Sequence, residues 1–360
     1  MIQPPLIPAQ VGVPRSKHVH TRRSWLAGTL VAVLALVVGS FALAETRYGR
    51  GPTRIAVAAT PIASFDTRDP SRTRFGQLEF RGGLVLTSNY RAFGGISAIR
   101  MEPDGAHFLA LTDKSSWLRG RIVYRDGRPA GIADAEMAPM LGPDGKPLAA
   151  RHWFDTESLA QGNDGLLYAG IERVEKIVRF DYRRYGLGAR AQPIEVPADF
   201  KSFTYNKSLE CLAAPPKGAP LEGSLIAVTE HSLDAAGNHR AYVLAGARVE
   251  RFTVKRGGDF DVSDCTILPP SDMLLLERRY SPLLGVAIRI RKLHLADIKE
   301  GAVVDGPALF EADLAYQIDN MEGIGIHRSA QGETVLTLVS DDNFSPIQRT
   351  LLLQFALVAQ

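Results

Sequence analysis

The sequence predicts an all-β fold, a single β-propeller of five or six blades, preceded by an N-terminal hydrophobic segment. Three observations predict it. Turn-forming residues are abundant, with Gly 33 and Pro 22 in 360 residues, which favours many short strands over long helices. Short apolar runs bounded by Gly, Pro, Asn and Asp recur from about residue 55 onward. These runs fall into hairpins that begin near residues 97, 157, 210, 264 and 322, the regular spacing expected when each repeat is one supersecondary unit. A composition of 45% apolar and 22% charged residues allows a packed core and excludes the disordered and fibrous classes.

The N-terminal element comes first. Leu26 to Ala44 carries no charge, follows Arg22 and Arg23, and ends in Ala42-Leu43-Ala44, the small-x-small pattern of a signal peptidase site. Thr21-Arg22-Arg23-Ser24-Trp25-Leu26 resembles the twin-arginine signal for export of folded proteins. Residues 1–44 are therefore expected to direct export and be removed, giving a periplasmic or secreted protein. An inner-membrane anchor formed by residues 26–44 is the alternative. Residues 45–54 read as a linker and 55–360 as the propeller domain. The formal charge of +3 comes from the leader: Arg15, Lys17, Arg22 and Arg23 stand there without an acid, and removing them leaves −1. No basic patch interleaved with aromatics remains, which excludes nucleic acid as a partner. The only cysteines, Cys211 and Cys265, form no CxxC motif. They read as two separate buried thiols, with pairing in an oxidising compartment as the alternative.

The repeats follow in order. The first runs from Gly95–Ile99 to Leu109–Asp113 around Pro103-Asp104-Gly105. In the second, a turn centred on Asp164-Gly165 places Glu157 opposite Glu172, and Lys176–Asp181 supplies a third strand. Glu210 and Glu230 bracket the third around a Pro/Gly loop, Pro215–Gly223. Asp264 and Glu277 bracket the fourth around Pro270-Ser271, and Glu322 and Asp341 the fifth around Gln331-Gly332. Ile55–Phe65 and Leu78–Thr87 supply a sixth blade, or complete the last one beside Thr350–Leu357 and close the ring.

In a propeller, equivalent hairpin ends converge on one face. Asp113, Glu157, Glu172, Glu210, Glu230, Asp264, Glu277, Glu322, Asp341 and Asp342 would then form an acidic rim. Like charges directly opposite are destabilising, so the pattern calls for a cation. Hard oxygen ligands select Ca²⁺, with Mg²⁺ second. The expected ligands are Asp113, Glu157, Glu172, Glu210, Glu230, Glu277, Glu322 and Asp341. Lys114, Arg173 and Arg278 adjoin these acids and suit the oxygens of an ester or phosphate ester, and Glu157, Glu322 and Arg278 are the candidate catalytic groups. No GxSxG, HExxH, Walker A or GxGxxG motif occurs. Only His231, beside Glu230, stands near the rim.

Phe93-Gly94-Gly95-Ile96-Ser97, Asp155-Thr156-Glu157-Ser158-Leu159 with Asn163-Asp164-Gly165, Leu276-Glu277-Arg278, Asn320-Met321-Glu322-Gly323-Ile324 and Ser340-Asp341-Asp342-Asn343-Phe344 with Gln348-Arg349-Thr350 resemble the exported bacterial family named for the esterase-like activity of phytase. The likeness covers roughly residues 75–358. It implies a propeller related to calcium-dependent phytases and a phosphoesterase or esterase activity. The chain departs from the family's Glu-Gly-Leu pattern at Glu157-Ser158, Glu210-Cys211 and Asp264-Cys265. The expected function is thus an exported metal-dependent hydrolase, a monomer acting on a small-molecule ester or phosphate ester. A non-catalytic propeller that binds a partner or glycan, and a lactonase-type sugar-acid hydrolase, are the competing readings.

Overall fold

A computed structural model describes residues 51–283 and 285–358; the expected export segment lies outside them. Five sheets, antiparallel except where Val303–Val304 joins the outer edge of the third in parallel and each entered from its innermost strand, make five blades. The innermost strands are Ile96–Met101, Thr156–Gln161, Leu209–Ala213, Asp261–Leu268 and Met321–Arg328. No sixth blade forms from the N-terminal strands. Leu78–Thr87 pairs with the C-terminal strand Thr350–Leu357, and Ala58–Ile62 adds outside it, so both chain ends complete blade 5. Thr53–Arg54 joins the outer edge of blade 1, inside the expected linker.

A sheet with two apolar faces must cover both. Between each pair of neighbouring blades lies a separate apolar layer, five in all. Trp117 and Phe180 pack edge to face between blades 1 and 2, for example, with centroids 5.0 Å apart.

Every innermost strand carries a β-bulge near its start. The pairing skips Ser97, Glu157, Glu210, Ser263 and Glu322 in blades 1 to 5. Residues two apart in a strand normally share a face. Across the bulge they do not: Leu209 packs toward blade 2 while Cys211 packs toward blade 4. The extra residue is re-aimed out of the ladder.

The bulges also correct the expected register. The hairpin of blade 2 turns through Gly162–Leu166, with Gln161 opposite Leu167 and Gly165 at φ 76°, a turn followed by a left-handed residue. Glu172 consequently stands opposite Asp155, whose carbonyl accepts its N–H at 2.8 Å, and Glu157 is the bulged residue.

The cysteines form a disulfide, with Cα atoms 5.2 Å apart, rather than two thiols. Cys211 is one residue past its bulge and Cys265 two past the bulge at Ser263, so they occupy opposite faces of their strands. Blades 3 and 4 present those faces to each other, where both cysteines are fully buried.

Candidate functional site

The bulges place two sets of side chains at one end of the central channel, called here the mouth. The bulged residues give Ser97, Glu157, Glu210, Ser263 and Glu322. The matching positions on the second strands give Asp113, Glu172, Glu230, Arg278 and Asp341. Serine hydroxyls clamp neighbouring bulges: Ser97 donates to the carbonyl of Thr156 at 2.6 Å, Ser158 to Leu209 at 2.8 Å, and Ser263 to Met321 at 3.1 Å. Each accepting residue immediately precedes a bulged glutamate, so these bonds fix where Glu157, Glu210 and Glu322 point.

Glu172, Glu210 and Glu230 are buried, and one carboxylate oxygen from each lies within 4.8 Å of the other two. Glu172 Oε1 accepts the Ser208 N–H at 2.6 Å. Arg278 bridges Glu230 at 3.4 Å and Glu322 at 3.3 Å and donates to Asn320 Oδ1; Asn320 in turn donates to Glu322 Oε1 at 2.8 Å. Lys114 pairs with Asp113 at 2.7 Å, Lys207 with Glu230 at 3.3 Å, and Arg173 with Asp155.

Crowding and burial raise the proton affinity of the acids. Burial is the main cause at Glu172, pushed up to about 8 with Glu230 and Asp155 adding to it against the Ser208 N–H. Burial pushes Glu322 up to about 7 against the opposing charge of Arg278. Asp341 rises to about 9 through burial and then Glu322 and Asp113. Glu157, Glu210 and Asp113 are raised as well, burial again first. Strained backbone gathers here too. Of ten non-glycine residues at positive φ among the described residues, Ser115, Asp155, Glu175, Asn206, Asn343 and Phe344 lie in loops at this end, and such strain persists where the surroundings over-determine it.

Two expected rim acids are elsewhere, and a third is bound into its own loop. Glu277 is wholly buried one position before Arg278 and binds Arg289 at 2.8 Å and Arg291 at 2.6 Å. Asp264 follows the bulge at Ser263, so it turns toward blade 5, accepts the Ile324 N–H at 2.8 Å and pairs with Arg100 at 3.2 Å. Arg100 also donates to carbonyls of Leu212, Cys265 and Ile324, joining blades 1, 3, 4 and 5 across the channel below the mouth. Asp342 holds its loop together, accepting from the Gly95 and Phe344 N–H groups and the Thr350 hydroxyl. His231 pairs with Asp261 at 2.8 Å. Blade 4 is thus out of step by one residue, and its mouth position carries the cation Arg278 where the other blades carry an acid.

Asp155, Lys207 and Asn320 join the site without having been singled out. Asp155 and Asn320 stand within two of the segments that carry the family resemblance, which was the available signal. Lys207 had none, because its pairing depends on the loop between blades 2 and 3.

A closed all-β propeller with a buried cluster of bulge-aimed acids beside an arginine defines a class of hydrolase-like propeller. The sequence profile described as esterase-like activity of phytase, a phytase-like domain, matches residues 91–344, and the chain belongs to that family. No curated protein sequence matches the chain. Slight structural likeness extends to the crystal structure of RRP9 WD40 repeats, at 12% identity over 74% of this chain and 82% of that one with a TM-score of 0.36. The structure of U3-55K is similar at 10% identity over 72% and 95%, TM-score 0.34. A chain of the mitotic checkpoint complex gives 12% identity over 100% of both, TM-score 0.37. At these scores the likenesses carry no functional argument.

Proposed function

We propose that the mouth is the active site of a divalent-cation-dependent hydrolase acting on a phosphate or carboxylic ester. The observation that carries the reading is the buried, oxygen-only triad of Glu172, Glu210 and Glu230, converging within 4.8 Å beside Arg278. These donors fit a hard cation, Ca²⁺ before Mg²⁺, and would hold it with Glu157 close by. When bound, such a cation neutralises the carboxylates and polarises an ester or phosphoryl oxygen.

The chain's own groups divide the remaining work. Arg278, held by Glu230, Glu322 and Asn320, is placed to meet the substrate's oxygens, with Lys114 and Arg173 at the edge to draw an anion in. Glu322 is poised near neutrality to take a proton from water. Its Oε1 is engaged by Asn320 and Arg278, so the proton goes to Oε2. Glu157, on the equivalent bulge of blade 2, is the second group able to hold a proton. The disulfide suits an oxidising compartment and supports the expectation of export.

Release of phosphate from 4-nitrophenyl phosphate should require Ca²⁺ and stop with chelator. Glu322→Gln should lower the rate by about 10²- to 10⁴-fold, the range for loss of a general base. If neither an aryl phosphate nor an aryl carboxylic ester is turned over with the ion bound, the mouth is a binding site and the hydrolase reading is lost.

Stability supplies a second check. Carboxylates raised in the folded state contribute stability below their unfolded values near 4, and that contribution is lost as pH rises through the folded values. With Glu322, Glu172 and Asp341 at about 7, 8 and 9, metal-free protein should melt at progressively lower temperature from about pH 5 to about pH 9. Saturating Ca²⁺ should flatten that slope and add about 2.7 kcal/mol when the free ion is about 100 times its Kd. Thermal melts at several pH values with Ca²⁺ or chelator measure both. Identical melts would mean that the carboxylates hold no ion.

A further inference from the structure

We propose that the substrate entering this mouth is an ester with a single-headed anionic or ester group on an aromatic or otherwise apolar body, and not a polyphosphorylated polyol. The inference rests on the hydrolase reading for the site and names its substrate class.

The first support is the fringe of the mouth. Among the described residues with large, exposed apolar side chains, Tyr205, Tyr280, Leu283, Phe344 and Ile347 all stand at the carboxylate end, in three separate loops. Tyr205 is in the loop from blade 2 to blade 3. Tyr280 and Leu283 are at the tip of the blade 4 hairpin that runs on past Arg278. Phe344 and Ile347 are in the loop after Ser340. Ile347 is 89% exposed and Leu283 94%, a cost in water that a polar ligand would not relieve.

The second support is how aromatic rings and cations alternate at the edge. The Lys114 ammonium lies 5.1 Å from the centre of the Phe344 ring. The Arg173 guanidinium lies 4.8 Å from Phe154 and 5.8 Å from Tyr205. Each of these cations is also tied to a carboxylate, Asp113 or Asp155. A flat ring laid on the open face of Tyr205 or Phe344 therefore lies beside a cation that is already oriented, toward which an attached anionic group can turn at the ring's edge.

The third support is charge. Asp113, Asp155, Glu157, Glu172, Glu210, Glu230, Glu322 and Asp341 face Lys114, Arg173, Lys207 and Arg278, eight acids against four cations. Two divalent ions would only bring this set to neutrality. With the edge cations Lys114 and Arg173 already paired to Asp113 and Asp155, no surplus of positive charge remains for six phosphates on one ring, and a ligand with a single anionic head meets much less repulsion.

Calorimetric binding in the presence of Ca²⁺ tests this separately from turnover, using phenylphosphonate, methylphosphonate and inositol hexakisphosphate on the propeller-containing full chain. Phenylphosphonate should bind about 3- to 10-fold more tightly than methylphosphonate, the worth of one aromatic contact. Tyr205→Ala, at a site that is 68% exposed, should remove most of that preference and leave methylphosphonate unchanged; Phe344→Leu should act in the same direction. Equal affinity for the two phosphonates, a preference that survives both substitutions, or tighter binding of the hexakisphosphate would overturn the proposal. Aryl preference without turnover of any ester would remove the hydrolase reading and leave the aryl preference as the specificity of a binding site. Turnover without aryl preference would do the reverse, and failure of every phosphonate to bind would overturn both.

Discussion

Glu277→Ala should destabilise the protein by about 3–5 kcal/mol, the cost of leaving buried charges without their partner, while leaving the proposed Ca²⁺ affinity of the mouth nearly unchanged. Glu277 is the shared counter-charge of Arg289 and Arg291, whose side chains are only 11% and 4% exposed. Arg291 keeps Asp305 at 2.8 Å and a bond to the Lys255 carbonyl, but Arg289 would retain no close carboxylate, only a long contact to Glu311, the Gly257 carbonyl and the face of Phe260. Denaturant titration of the variant gives the stability, and calorimetry on the folded fraction gives the affinity. Loss of cation binding with unchanged stability would place Glu277 among the ligands and contradict the one-residue offset of blade 4. Arg278→Ala, the neighbouring change, should have the opposite profile, with substrate affinity falling more than stability.

Removing the disulfide should be comparably costly. Cys211 and Cys265 close a loop of 54 residues, and chain entropy alone assigns such a crosslink about 4 kcal/mol, or a fall of roughly 6 °C in Tm for a domain of this size. The double replacement of Cys211 and Cys265 by Ser, and the reduced wild type, should agree. Reduction should also weaken the proposed Ca²⁺ binding, because Cys211 directly follows Glu210 and the bridge holds the innermost strand of blade 3 against that of blade 4. Scanning calorimetry with and without reductant reads the first effect and ion titration the second. A reduced protein that melts within a degree of the oxidised one would show that the apolar layer between these blades suffices alone.

By itself the sequence determined that this chain is a propeller. Alternating apolar runs, tight turns and a repeat near 55 residues are local signals, each written in consecutive residues, and they required no knowledge of the ring. The convergence of Glu157, Glu172, Glu210, Glu230 and Glu322 was legible for the same reason, since equivalent positions in a repeat meet at one end of the channel. The bulges were not legible. A single extra residue leaves apolar alternation almost intact, yet it reverses every face that follows and decides whether Glu210 or Cys211 leaves the ladder. Tertiary structure therefore settled the register. It sent Asp264 to Arg100 and Glu277 to Arg289 and Arg291, put Arg278 where four other blades carry an acid, and turned Cys211 and Cys265 toward each other. It also settled the blade count, because Leu78–Thr87 could be placed only once Thr350–Leu357, more than 260 residues away in the chain, offered it an unpaired edge.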